Sequence, residues 1–213
     1  MTLRLPILFS LLALAGAAEA APAAAPSPFQ GPALAQDQVL SRAVGSIQVS
    51  LPRLNPDGTL PVVNSGYGRS TSFPVSWTPV PGAKAYAVIV QDLQSGGPAA
   101  LTHWMAYNIP PTLTELPRSA HNRAEITGPK GFLQGLNSLG GIGYVGPKPP
   151  ASDPPHKIHV QVFALTRMLP IGGGATLDKL VQTMGDRVLA EGEAVVPFQA
   201  PQPGDPKPGK TRS

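Results

Sequence analysis

The chain contains no cysteine in 213 residues, which removes disulfides, thiolate metal sites, cysteine nucleophiles and a lipidated cysteine together. Charge is scarce as well: 13% of residues are Asp, Glu, Lys or Arg, about half of the ~25% typical of globular domains. A long solvated coiled coil or a helical bundle is therefore disfavoured. Aromatic residues make up 6%. The chain also lacks an H-E-x-x-H metal helix and a G-x-S-x-G nucleophile elbow, so neither hydrolase signature is present. Beyond residue 20 every apolar run is cut by Pro, Gly or charge, short of the ~20 residues a spanning helix needs. There is no internal repeat, and no heptad specifies an oligomer.

What is abundant is Gly and Pro, 23 and 27 residues. That load falls just short of the ~25–30% that marks low-complexity chains, and 42% hydrophobic residues still permit a core threaded through many turns. Length suits one domain or two small ones. Met1–Ala20 carries Arg4, an apolar run from Leu5 to Gly16 and then Ala18-Glu19-Ala20, the pattern of a secretory signal with A-x-A cleavage. The competing reading, a membrane anchor, is disfavoured by the short run and by Pro6 inside it. The expectation is an exported protein, periplasmic or secreted, that starts near Ala21. Residues 21–42 form an Ala/Pro-rich stretch expected to be a flexible leader. Residues 43–199 form the domain, and residues 200–213 form a disordered Pro/Gly/Lys tail.

The net charge of +4 is half tail, because Lys207, Lys210 and Arg212 outnumber Asp205 there. No concentrated basic face remains for nucleic acid. Along the domain, Val44 to Leu54 reads as a first strand, and Asn55-Pro56-Asp57-Gly58 as a turn giving a hairpin-like entry. Ala85 to Gln91 is a continuous apolar run that suits a strand buried on both faces. Thr102 to Ile109 is a second strand, and the segment from Ile158 to Leu165, with His159, alternates as a third. Thr176 to Ala190 has helical spacing of Leu177, Leu180, Val181, Met184 and Val188, with Thr176 as N-cap. Ser119 to Pro155 has little periodicity and reads as a functional loop region. The fold class is mostly β, with one late helix.

Asp92, His103 and His156 each sit at the edge of a predicted strand, where side chains distant in sequence can converge on one pocket. Gly143-Tyr144-Val145-Gly146-Pro147-Lys148-Pro149-Pro150 has the rigid composition of a pocket wall, with Tyr144 as its aromatic. Lys148 reads better as a solvated loop lysine than as a ligand cation. His121 reads as surface, His159 as a satisfied structural histidine, and Trp77 and Trp104 as core.

The runs Ser72-Phe73-Pro74-Val75-Ser76-Trp77, Ala87-Val88-Ile89-Val90-Gln91-Asp92, His103-Trp104, Asn108-Ile109-Pro110, Gly143 to Pro150 and His156-Lys157 resemble, in this order, the phosphatidylethanolamine-binding protein (PEBP) family. The order and spacing look like those of its bacterial, Raf kinase inhibitor-like branch, and the likeness covers about Val44 to Phe198. The resemblance implies a β-sandwich with a large central antiparallel sheet, a smaller second sheet and one or two peripheral helices. It also implies a small anion pocket for phosphate, phosphorylethanolamine or other oxyanions. On that basis Asp92 matches the first Asp of D-P-D-x-P, His103 the His before Trp, Gly146, Pro149 and Pro150 the G-x-x-P-P loop, and His156 the His of H-R-Y. The second Asp is lost in Asp92-Leu93-Gln94-Ser95, and H-R-Y has become His156-Lys157-Ile158.

Two imidazoles can donate N–H groups to an oxyanion, more strongly when protonated, and Asp92 can orient one of them. The expectation is an exported binder of a small phosphorylated or carboxylate ligand, with no turnover, no cofactor and no metal. The ligand-binding set is Asp92, His103, Tyr144, Gly146, Pro149, Pro150 and His156. A phospholipid headgroup and a homodimer remain open as partners. The alternatives are an inhibitor-type module acting on an extracytoplasmic protein and, less favoured, a metal-dependent hydrolase using Asp92, His103 and His156.

Overall fold

The computed structural model describes residues 32–39, 43, 45–120, 122–128 and 131–205. The expected signal segment, residues 206–213 of the tail and His121 lie outside these residues. The described chain runs through α1 (Ala35–Gln38), β1 (Gly45–Ser46), β2 (Val49–Ser50), β3 (Val75–Trp77), β4 (Ala85–Asp92), β5 (Leu101–Ile109) and β6 (Glu115–Leu116). It continues through β7 (Glu125–Ile126), β8 (Phe132–Gln134), β9 (His156–Leu165), α2 (Leu177–Met184) and β10 (Val188–Phe198). A seven-stranded sheet has the order β1-β10-β9-β4-β5-β8-β7, and a three-stranded sheet the order β2-β3-β6. The expected mostly-β, two-sheet architecture is present. The large sheet is antiparallel except at one edge, where β1 runs parallel to β10.

The apolar run of β4 becomes the middle strand of the large sheet, and all eight of its residues are buried. Side chains alternate across a strand, so its two faces serve two cores. Tyr86, Val88 and Val90 join Val75, Trp77 and Leu116 of the small sheet. Ala85, Ala87 and Ile89 join Leu180, Val181 and Met184 of α2. Each buried Val, Leu, Ile or Met among these contributes about 1.5–3 kcal/mol, which is how a chain without disulfides holds together.

Four expectations are corrected. The helix predicted to reach Ala190 ends at Met184. Thr176 caps it, its Oγ1 accepting from the Lys179 N–H, but Gly185 adopts φ +37 and stops it, and Val188 then opens an eleven-residue strand. That strand escaped pattern reading because Glu191, Gly192 and Glu193 interrupt its apolar residues. Gly192 is required there, since a Cβ would stand 1.9 Å from the Ile47 carbonyl oxygen. The single first strand is two short ones, because the chain changes sheets between Ser46 and Val49. The turn at Asn55 exists, with the Gly58 N–H bonded to the Asn55 carbonyl and Gly58 at φ +80, but β2 pairs with β3 rather than across that turn. Finally, the leader is not uniformly loose. Leu34 and Ala35 are buried, and the N–H groups of Ala35 and Gln36 donate to the Gln91 and Gln161 side-chain oxygens at 2.8 and 2.9 Å.

Candidate functional site

Strand β4 is antiparallel to both of its neighbours, so its last residue meets the beginnings of β5 and β9: Asp92 lies opposite Leu101 on one side and Ile158 on the other. This topology brings Asp92, His103 and His156 to one end of the sheet. Strict alternation would put His103 on the face opposite Trp104. The register of β4 against β5 shifts between Val90 and Gln91, passing from Trp104 to Thr102 and leaving His103 as the extra residue. Such a bulge re-aims a side chain, and His103 lines the same cavity as Asp92 and His156.

That cavity measures about 350 Å³ and has an apolar mouth that includes Leu101, Leu139 and Val145, with Gly146, Pro149 and Pro150 along one wall. Its floor is a buried polar set. His156 donates through Nδ1 to Asp92 Oδ2 at 2.6 Å, and Asp92 Oδ1 accepts the Gln94 N–H at 2.7 Å. The Asp153 carboxylate stands 3.5 Å from His156 Nε2. His103 donates through Nδ1 to the Val145 carbonyl at 2.9 Å, while the Val145 N–H returns a bond to the His103 carbonyl at 2.9 Å. The other ring nitrogen of His103 is buried with no partner among the described residues. Burial holds the His103 pKa below its usual 6.5, against the opposing pull of the Val145 bond and the Asp92 charge, and the His156 charge pushes the same way as burial. A buried polar atom without a partner costs about 1–3 kcal/mol, and such an atom beside a cavity can be satisfied by a water or by a ligand.

The Gly146 wall is fixed by packing. A Cβ on Gly146 would come within 2.7 Å of the Asn64 and Ser65 backbone, its N–H donates to Ser70 Oγ at 2.7 Å, and Pro147 accepts the Gly66 N–H at 2.9 Å. Pro149 accepts from the Tyr67 hydroxyl. Lys148 is exposed and lines the mouth, with its ammonium 5.8 Å from the centre of the Tyr67 ring. Tyr144 does not line the cavity. It lies in the core, its hydroxyl donating to the Asn64 carbonyl at 2.5 Å, edge-on to Phe73 and Trp104 at 5.7 and 6.1 Å between centroids. Burial pushes its phenol well up.

Of the expected site residues, then, Asp92, His103, Gly146, Pro149, Pro150 and His156 come together, and Tyr144 does not. Sequence reasoning missed Gln94 and Asp153. Gln94 stands at the lost second Asp of the family pattern and ties Asp92 to β9 by accepting the Lys157 N–H at 2.6 Å. The position of Asp153 three residues before His156 was its one available signal. Ile158, where the family has Tyr, is buried in the core. As expected, His159 is satisfied, bonded to Glu193 at 2.7 Å, and Trp77 and Trp104 are buried.

No three His, Asp or Glu side chains among the described residues are arranged to hold a metal ion. Asp92, part of the weighed hydrolase ligand set, has one oxygen on His156 and the other on Gln94. Gly204 to Thr211 matches the spacing of a phosphate-binding loop, but Pro206 and Pro208 lack the backbone N–H groups on which such a loop relies. No helix among the described residues is long and apolar enough to cross a membrane.

Known proteins share this architecture. Residues 50–199 match the family model described as phosphatidylethanolamine-binding protein. A UPF0098 protein of Methanothermobacter thermautotrophicus is 34% identical over 142 residues, covering 66% of this chain and 91% of that protein. The UPF0098 protein YbcL of Escherichia coli is 37% identical over 119 residues, covering 54% of this chain and 65% of YbcL. The crystal structure of YbcL, described as a member of the mammalian PEBP family, superposes with a TM-score of 0.66 at 28% identity, over 74% of this chain and all of YbcL. A Chlamydia trachomatis PEBP homologue gives a TM-score of 0.62 at 26% identity, over 74% of this chain and 99% of its own. With its central strand, its two sheets and the matched span from β2 to just past β10, the chain belongs to the phosphatidylethanolamine-binding protein family.

Proposed function

We propose that this protein is an exported binding protein that holds a small oxyanion, a phosphate, phosphorylethanolamine-like or carboxylate group, without turning it over. The observation that carries the reading is the floor of the cavity, where two imidazoles, each fixed by an Nδ1 bond, flank a space that His103 Nε2 adjoins without a partner among the described residues. About 350 Å³ lies at the lower end of small-ligand pockets and suits a headgroup-sized molecule. Lys148 at the mouth adds a cation. The family model's description, a phosphatidylethanolamine-binding protein, is consistent with a phosphate-bearing ligand.

Calorimetric titration of the mature protein with phosphorylethanolamine at pH 6 tests the reading. Saturable one-to-one binding is expected, weakened at least tenfold by His156→Ala; binding untouched by that change removes the assignment. For export, N-terminal sequencing of the protein from its producing cells is expected to begin near Ala21. Recovery of intact Met1 would refute it.

A further inference from the structure

The hydrogen bonds of the two pocket histidines constrain the form in which an anion can enter. A carbonyl oxygen only accepts, so His103 Nδ1, 2.9 Å from the Val145 carbonyl, carries its hydrogen. His156 Nδ1, 2.6 Å from the Asp92 carboxylate, carries one for the same reason. A neutral imidazole has one N–H, and in both rings it is spent inside the protein. His103 Nε2 is then a bare acceptor, buried without a partner among the described residues, whereas His156 Nε2 faces the Asp153 carboxylate at 3.5 Å. A fully deprotonated oxyanion is also only an acceptor, so a neutral His103 and a dianion repel rather than bond.

The surrounding charges strengthen this conflict. The ionisable side chains that line the cavity with the two rings are Asp92 on β4, Asp153 on the turn before β9 and Lys148 on the Gly-Pro loop. Leaving the rings aside, the pocket carries two carboxylates against one ammonium, a net −1 before any ligand arrives. Burial keeps His103 short of protons near neutral pH, so the ring is not charged in advance.

Resting on the oxyanion reading above, we infer that each dianion enters this pocket together with one proton, placed between a ligand oxygen and a histidine Nε2. The proton turns an acceptor–acceptor clash into a hydrogen bond and offsets one charge, whether it resides on the ring or on the ligand. The pocket therefore selects ligands by their capacity to arrive with, or draw in, a proton. A phosphomonoester, whose second pKa is about 6, is the favoured class.

The experiment is titration calorimetry of the mature full chain with phosphorylethanolamine at pH 8, repeated in two buffers of different ionisation heat. Uptake of about one proton per ligand is expected, and the dissociation constant should rise about tenfold from pH 7 to pH 8, as one linked proton requires. Binding with no proton uptake overturns the inference and leaves the oxyanion reading standing. Absence of binding anywhere from pH 5 to 8 overturns both.

Sulfate, which carries no proton near neutrality, places the proton. Uptake with both ligands puts it on the imidazole, and uptake with the phosphomonoester while sulfate fails to bind puts it on the ligand oxygen; both outcomes support the inference, whereas sulfate that binds without proton uptake overturns it. In His103→Gln or His156→Gln, whose side chains do not titrate, at least one variant should lose half or more of the uptake. Undiminished uptake in both variants would also overturn the proposal.

Discussion

Strand β9 carries two histidine–carboxylate pairs of nearly the same length and opposite meaning. His156 meets Asp92 at 2.6 Å, with both side chains about 5% exposed, while His159 meets Glu193 at 2.7 Å, with side chains 14% and 26% exposed. Three residues apart on a strand, they face opposite sides of the sheet. His156 looks into the cavity at the sheet's end; His159 makes a diagonal contact to the neighbouring β10, of the kind that stabilises strand pairs. A short ion pair is therefore not what distinguishes a site. The distinction comes from burial, from a cavity beside the pair, and from the second imidazole that the β5 bulge turns towards it.

The sharpest way to break this comparison is to remove the buried partner. Asp92→Ala leaves His156 without its acceptor and Gln94 without its cap, and is expected to cost about 3 kcal/mol of stability, measured by urea denaturation. A cost below about 1 kcal/mol would make the two pairs energetically alike and contradict the argument. Next comes the wall. Gly146→Ala drives a Cβ into the Asn64–Ser65 backbone and is expected to cost about 2 kcal/mol, as overpacking does, and to abolish phosphorylethanolamine binding. Unchanged binding would show that this loop does not shape the pocket.

A third effect concerns pH. The His103 pKa lies below 6.5 in the folded state because of burial, so the unfolded chain takes up the proton first as pH falls. The stability it contributes is complete above about pH 6.5 and is lost as pH drops through the folded value. Thermal melting from pH 8 to pH 5 should show this decline, and His103→Gln should flatten it; a variant profile parallel to the wild type would assign the decline elsewhere. The smallest change is expected on the other face. Glu193→Gln should alter stability by less than about 1 kcal/mol and leave ligand affinity unchanged, and a tenfold loss of affinity would erase the contrast between the two pairs.

Much of the fold was legible because its strongest patterns are local. The unbroken run Ala85 to Gln91 reads as a strand buried on two faces, and the structure makes it the centre of the sheet. The pair β7 and β8 was hidden because strands of two and three residues carry no periodicity. Strand β10 was hidden because its acidic residues and Gly192 answer to neighbouring strands rather than to their own sequence. Tyr144 illustrates the same limit at the site. It stands beside the Gly-Pro loop in the chain, yet its ring points into the core, where the Asn64 carbonyl accepts its hydroxyl.

By itself the sequence determined that this is a cysteine-free, weakly charged, β-rich chain with Asp92, His103 and His156 at strand ends, because residue type and spacing suffice for such statements. Only the tertiary structure decided which ends meet, that a bulge swings His103 to the face of its partners, and that both Nδ1 atoms are already committed. Those outcomes depend on register and on long-range hydrogen bonds, which link residues 42 and 64 positions apart and leave no mark on local pattern.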